Sequence, residues 1–274
     1  MAFLTTFLLV CLVTTVFTGF FSANMVLIDW WASKLYAAGY LKRRTKSMSK
    51  DKKEAERQSP LRILENAKIY WLTVVGVVIY IVNKTLPMLD QVDYSFKVVE
   101  TWASLCLIYI TFDFLYFFTH RFVHEVPALY QSIHKRHHED VPVDAYTTGH
   151  AELLENFIFT FPGVLLWAVL YMNMVDVPNA WAITLPVLSL TSDFAMVHVG
   201  YFDHILLNIL NPLSYIMQLS LGARQMYARH ELHHVTVKKN YGPVLPYWDM
   251  IFGTQKEVVE AEWGLDVHNE KGGE

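Results

Sequence analysis

Residues 98–125 read VVETWASLCLIYITFDFLYFFTHRFVHE. From Val98 to Phe118 the stretch is apolar and aromatic apart from Glu100, Asp113 and a few hydroxyls. That is long enough for a spanning helix, which needs ~20 apolar residues. The stretch then closes on two histidines four places apart, His120 and His124. It joins the two themes of the whole chain: apolar runs of membrane length, and histidines gathered just beyond them.

The rest of the sequence repeats the first theme. Of 274 residues 53% are hydrophobic and 18% charged, and the mean hydropathy is +0.25. An ordinary soluble domain has ~45–50% apolar and ~25% charged residues. Met1 to Ile28 carry no charged side chain, and further apolar runs cover Ile69–Val82, Phe157–Met174 and Val177–Val197. The N-terminal run lacks the basic start of a cleaved signal peptide, so a retained anchor is expected. Ile205–Leu221 is also apolar but contains Asn208, Asn211, Pro212 and Gln218. Spanning would strand those groups in hydrocarbon, so an interfacial or re-entrant segment is expected.

Basic residues then orient the chain. If residues 34–68, 119–156 and 198–274 share one side of the membrane, they hold 20 of the 22 Lys and Arg, leaving only Lys84 and Lys97 opposite. The positive-inside rule makes the richer side cytosolic. The net charge of −4 suggests no nucleic-acid partner, and Cys11 and Cys106, both in apolar runs, suggest no disulfide framework.

The second theme is histidine. Three short stretches hold eight of the twelve: His120 and His124; His134, His137 and His138; His230, His233 and His234. Random placement would give about 0.5 pairs at i,i+4, by simple template counting; three are present. Residues i, i+3 and i+4 lie on one side of a helix, so each cluster is expected to aim two or three imidazoles at one point. Neutral imidazole suits iron, zinc, copper and nickel. Eight or more ligands exceed the four that one zinc ion usually takes, so two ions are the economical reading. The orientation above puts all three clusters on one face of the membrane.

Other residues could contribute. His198 sits at the exit of the last apolar run and is placed to complete a ligand set; His150 and His204 are weaker candidates. Asp113 and Asp193 stand inside apolar runs, where ionisable groups are costly and usually functional. Glu152 is a further carboxylate available to orient a histidine.

The order of these elements resembles the sterol desaturase and fatty acid hydroxylase superfamily. The matching block runs Asp113-x6-His120-Arg-x2-His124, His134-Lys-x-His137-His138, His198-x-Gly200-Tyr201 and His230-x2-His233-His234, and closes on Asn240-Tyr241-Gly242 and Trp248-Asp249-x2-Phe252-Gly253-Thr254. Methylsterol monooxygenases and cholesterol hydroxylases look nearest in layout. Those relatives often carry His-Pro-x-Glu after the second cluster, where this chain has His150-Ala151-Glu152.

The resemblance implies an all-α, polytopic membrane bundle with a cytosolic, histidine-rich metal-binding cap in the endoplasmic reticulum membrane. It implies two non-haem iron ions, O2 as co-substrate, and NAD(P)H-derived electrons from a separate donor, cytochrome b5 and its reductase. The expected substrate is an apolar lipid, a sterol first, with a fatty-acyl or sphingolipid substrate as the alternative. Hydroxylation and desaturation both stay open. A divalent-metal transporter and a membrane zinc hydrolase are the readings from other classes. The expected layout is an anchor at 1–28, a basic segment at 29–68, a transmembrane pair at 69–118, a catalytic region at 119–254 that includes a membrane hairpin at 157–197, and a tail at 255–274.

Overall fold

A computed structural model of the protein describes residues 2–44, 60–88, 90–139, 143–202, 205–221, 225–259 and 263–264. Helix dominates. The one β-ladder among the described residues pairs Arg43–Arg44 with Trp263–Gly264, two residues a side.

The first three helices outrun the apolar stretches that mark them. Helix α1 covers Ala2–Ala37 and ends where Gly39 takes a φ of +82°, a conformation open to glycine that terminates many helices. Helix α2 covers Pro60–Thr85, with proline at its first position, where no backbone N–H is needed. Helix α3 covers Val98–Glu125 and so carries His120 and His124 on its last turns, beyond the expected end near Phe118. The extended Val126 before Pro127 stops it.

The next span is broken. Helix α4, Leu153–Phe159, and helix α5, Phe161–Met174, meet at Thr160, because Pro162 has no N–H to continue the ladder. Helix α6 covers Ala180–Met196, capped by the Asn179 side chain, which accepts the Trp181 and Ala182 N–H groups at 3.0 Å. Among the described residues four helical stretches, Leu4–Ala37, Ile63–Thr85, Val98–Glu125 and Leu153–Met174, are long and apolar enough to cross a membrane; α6 is apolar but shorter.

Residues 205–221 form two short helices, α7 (Ile205–Asn208) and α8 (Pro212–Ser220), in keeping with a segment that does not cross. Asp193 explains how they are held. Its carboxylate accepts hydrogen bonds from Tyr109 on α3, Ser214 on α8 and Asn211 between α7 and α8. Asp193, expected among the residues that could contribute to the metal site, is therefore a clamp. Two more helices follow, α9 (Met226–Thr236) and α10 (Tyr247–Ile251).

Helix α1 packs on α2 and α6, α2 on α5, and α3 on α5 and α6. Ser104 on α3 donates to the Ala182 carbonyl, and the buried Trp167 indole donates to Ser104 at 3.0 Å. One end of the bundle is closed by the Asp93–Asn179 bridge and a bond from the Trp181 indole to the Tyr94 carbonyl. The histidines lie at the other end, where Asn66 near the start of α2 donates to the Tyr146 carbonyl. One close helix contact sets glycine on backbone: a β-carbon on Gly163 of α5 would sit 2.6 Å from the Phe112 Cα of α3.

Gly163→Val should therefore force α3 and α5 apart and lower stability by about 1–3 kcal/mol, the usual penalty of overpacking. Thermal unfolding in detergent would read it. Gly19→Ala, where a β-carbon meets open space, should leave the midpoint unchanged. Equal midpoints for both variants would contradict the packing described.

Candidate metal centre

Nine histidines converge in two adjoining groups. His120, His124, His134, His138 and His233 form one; His137, His198, His230 and His234 form the other. Within each group one nitrogen or more from every ring lies within 4.8 Å of the rest. All nine are residues expected from the sequence, but the clusters do not map one to one onto the groups. His134 and His138 enter the first group while His137 enters the second; His230 and His234 enter the second while His233 enters the first. On α9 the reason is helical geometry: successive residues point about 100° apart, so a consecutive His-His pair faces two ways while i and i+4 stay together. The 134–138 cluster is not α-helical. His134 ends a π-helix over Tyr130–His134, and His137 and His138 start a 3-10 turn.

The ring nitrogens are close. In the first group, Nε2–Nε2 separations are 3.1 Å for His124–His120, 2.8 Å for His120–His134 and 3.0 Å for His134–His138. In the second they are 3.2 Å for His137–His198, 2.9 Å for His198–His230 and 3.1 Å for His230–His234. Nitrogen ligands at about 2.1 Å from a shared ion have neighbours about 3 Å away.

The protons decide what these contacts mean. Nδ1 of His120 donates to the Tyr241 carbonyl at 2.8 Å, Nδ1 of His233 to the Lys239 carbonyl at 2.7 Å, and Nδ1 of His198 to the Phe194 carbonyl at 3.2 Å. A carbonyl only accepts, so in the neutral ring Nε2 bears a lone pair. Nδ1 of His134 lies 3.0 Å from a Glu155 carboxylate oxygen but without hydrogen-bond geometry. The His120 lone pair faces Nε2 of His134 at 2.8 Å and Nε2 of His124 at 3.1 Å. Burial first and neighbouring imidazoles second hold His134, His137, His230, His233 and His234 well below their usual pKa, which keeps these rings neutral. Burial likewise brings His138 and His198 to about 4. A cation between the rings satisfies the arrangement, and the donor set fits a pair of transition-metal ions.

Several elements aim these rings. Asp249, fully buried, accepts the N–H groups of Tyr241 and Gly242 at 2.8 Å each and the Thr254 hydroxyl at 2.7 Å. It thus shapes the 239–242 loop whose carbonyls hold His233 and His120. Asp113, two turns before His120 on the same face of α3, accepts the Val244 and Leu245 N–H groups at 2.9 Å each. It pins the same loop to α3, and these bonds go to backbone rather than to a histidine. Gly200 has a φ of +70°, and a β-carbon there would collide with the Val143 carbonyl, which ties the backbone after His198 to residue 143. The Val143 N–H in turn donates to Glu231 on α9 at 3.0 Å.

The carboxylate that meets the histidines is Glu155, which is buried and lies 3.0 Å from His134 Nδ1 and 3.7 Å from His137 Nδ1, one ring of each group. Glu152 instead faces Arg136 at 3.4 Å and is partly exposed. His150 belongs to neither group; its N–H closes the 3-10 turn over Ala145–Gly149. His204 lies outside the described residues. Sequence patterning favoured Asp113 and Asp193 over Glu155 because both interrupt apolar runs, and nothing in the spacing marks the carbonyls of Lys239 and Tyr241.

Asp249→Ala should lower metal retention about 10–100-fold, the usual effect of losing a residue that orients ligands, although Asp249 touches no histidine. Competition with a chelator on purified protein would measure it. Retention equal to that of the unaltered chain would show that the loop does not set the rings.

Curated relatives match over a little more than half of the chain. The chain is 33% identical to methylsterol monooxygenase 1 of Gallus gallus over 147 residues, 54% of this chain and 44% of that one. It is 30% identical to a cholesterol 25-hydroxylase-like protein of Danio rerio over 156 residues, 55% of this chain and 54% of that one. It is 29% identical to fatty acid hydroxylase vlmA of Lecanicillium sp over 170 residues, 58% of this chain and 45% of that one. The chain thus spans about half the length of the relatives it matches. No solved structure matches it. The model of the Fatty acid hydroxylase family covers residues 105–254, more than half the chain and every one of the nine histidines, and the protein belongs to that family.

Proposed function

We propose that this chain is a membrane oxygenase that holds two iron ions with its nine converging histidines and uses O2 to oxidise an unactivated carbon of a lipid, a sterol in the first place. The observation that carries the reading is the pair of adjoining all-histidine groups, five rings and four, at one end of an apolar bundle. A transporter would instead place ligands near mid-bilayer, and a zinc hydrolase would need about three protein ligands per ion.

Iron, when bound, supplies the activation of O2 that breaking such a C–H bond requires. For hydroxylation the balance is one C–H bond and O2, with two electrons and two protons, giving an alcohol and water. The electrons come from NAD(P)H through a separate donor protein, cytochrome b5 and its reductase. The chain's own residues provide orientation and dryness. Glu155 stands 3.0 Å from Nδ1 of His134 and 3.7 Å from Nδ1 of His137, and so faces one ring of each group. Phe159 packs 5.2 Å from both His120 and His134, and Tyr116 packs 5.1 Å from His120, so the membrane side of the first group is walled by aromatic rings.

The sterol choice is supported by the methylsterol monooxygenase and cholesterol 25-hydroxylase relatives. An acyl-chain substrate is the second reading, supported by the family's description and the fungal fatty acid hydroxylase. The basic-residue asymmetry supports a cytosolic centre in an endoplasmic reticulum membrane protein, with 119–254 as the catalytic region and 255–274 as its tail.

Comparison of lipids from cells with and without the protein tests the substrate. Sterol intermediates should accumulate when it is lost, and His234→Ala should reproduce the loss. An unchanged sterol profile beside altered acyl-chain hydroxylation would reject the sterol and promote the acyl reading.

A further inference from the structure

A cavity of about 360 Å3 lies among α1, α2, α3, α5 and α6. Most of its wall is aliphatic, with Val13, Val77, Ile81, Ile183 and Val187 typical. At one end it reaches Val92 and Tyr94, in the connection between α2 and α3. At the other it reaches Tyr70, Thr160, Thr191 and Phe194. A much smaller void shares Tyr70, Thr160 and Phe194 with it and adds Asn66, Thr148 and Asn156.

This second end adjoins the histidines. The Phe194 carbonyl takes the His198 Nδ1 proton at 3.2 Å, and the Thr148 hydroxyl lies 3.3 Å from the same nitrogen. Asn156 directly follows Glu155, and Thr160 directly follows Phe159, both of which touch ligand rings. The cavity therefore runs from the far end of the bundle to residues that back His198.

Its polarity changes along that path. At the histidine end the Tyr70 and Thr191 hydroxyls bond each other at 2.6 Å. One bond between two hydroxyls uses one of their two protons and leaves the other available. The Asn156 amide nitrogen is shielded from solvent and has no hydrogen-bond partner. A buried donor left unpaired is unfavourable, and such a group is satisfied when an acceptor arrives.

We infer that the lipid enters with its oxygen-bearing end first, held by Asn156 and the Tyr70–Thr191 pair beside the histidines, while its hydrocarbon body fills the aliphatic cavity. The carbon oxidised then lies within a few bonds of that oxygen. A hydrocarbon tail in the same place would leave both donors unpaired, and a site built to hydrogen-bond an oxygen discriminates strongly against analogues that lack it. The chemistry fits a sterol oxidised near its ring hydroxyl or an acyl lipid oxidised near its carbonyl, and disfavours oxidation at a remote tail. This inference rests on the reading of the histidine groups as the oxidising centre.

Binding to the purified full chain in detergent, without added iron, tests it apart from turnover. The probes are a methylated 3-hydroxysterol against its 3-deoxy analogue, and a long-chain fatty amide against the alkane of equal length. At least one oxygen-bearing probe should bind about tenfold or more tightly than its partner, by the same discrimination. Which pair shows the preference identifies the source of the oxygen. Asn156→Leu and Tyr70→Phe should erase that preference while iron loading stays at the unaltered level. Val187→Phe, which fills the cavity, should weaken both members of the pair. Equal binding within both pairs, no binding of any probe, or a preference that survives both polar substitutions would overturn the inference. A preserved preference without oxygen-dependent turnover would instead fault the oxidase reading and leave the orientation standing.

Discussion

Imidazole Nε2 atoms crowd within 2.8 to 3.2 Å of one another in each of two buried groups, and a gathering of neutral ring nitrogens is what a transition-metal cation binds. Backbone carbonyls take the outer protons of His120, His198 and His233 and so turn their inner nitrogens into acceptors. The rings are pushed toward neutrality by burial, which keeps them available as ligands. Pairing with cations is the arrangement that this donor set satisfies, and much of the remaining structure serves to hold it.

That service explains the buried acids. Asp113 and Asp193 each accept two or more hydrogen bonds from distant segments and Asp249 accepts them from the loop just before it, and these bonds go to groups other than histidine. Asp113 and Asp249 fix the loop whose carbonyls orient His120 and His233. Asp193 fixes the short helices α7 and α8 against α3 and α6. In an apolar bundle a carboxylate with several donors around it is a strong local clamp, because breaking one bond strands a buried charge. The hydrocarbon-facing helices supply the wall, and the acids hold the non-helical pieces at its end.

Much of this was legible in the sequence. Apolar runs located the helices, because length and hydropathy constrain spans tightly. Helix ends were less legible: α3 carries on past Phe118 through His120 and His124, since hydrogen-bonding along a helix does not stop where hydropathy does. The nine histidines were legible through their i,i+4 pairs and through the position of His198. Their division into five and four was not, because it depends on side-chain direction about α9 and on the π-helix before His137. Glu155 was hidden among several nearby carboxylates, while Asp113 and Asp193 drew attention by interrupting apolar runs and proved to be clamps. The Asn240-Tyr241-Gly242 and Trp248-Asp249 elements stood out as non-metal motifs, and the hydrogen bonds of Asp249 give the physical reason for both.

The central claim is that the two histidine groups each hold one ion through imidazole nitrogen. Iron-edge X-ray absorption on the purified full chain, with the iron content measured on the same sample, tests it most directly. The account expects close to two irons per chain and a first shell dominated by nitrogen at about 2.1 Å. A folded chain that carries one iron or none after iron loading, or a first shell dominated by sulfur or carboxylate oxygen, would contradict it.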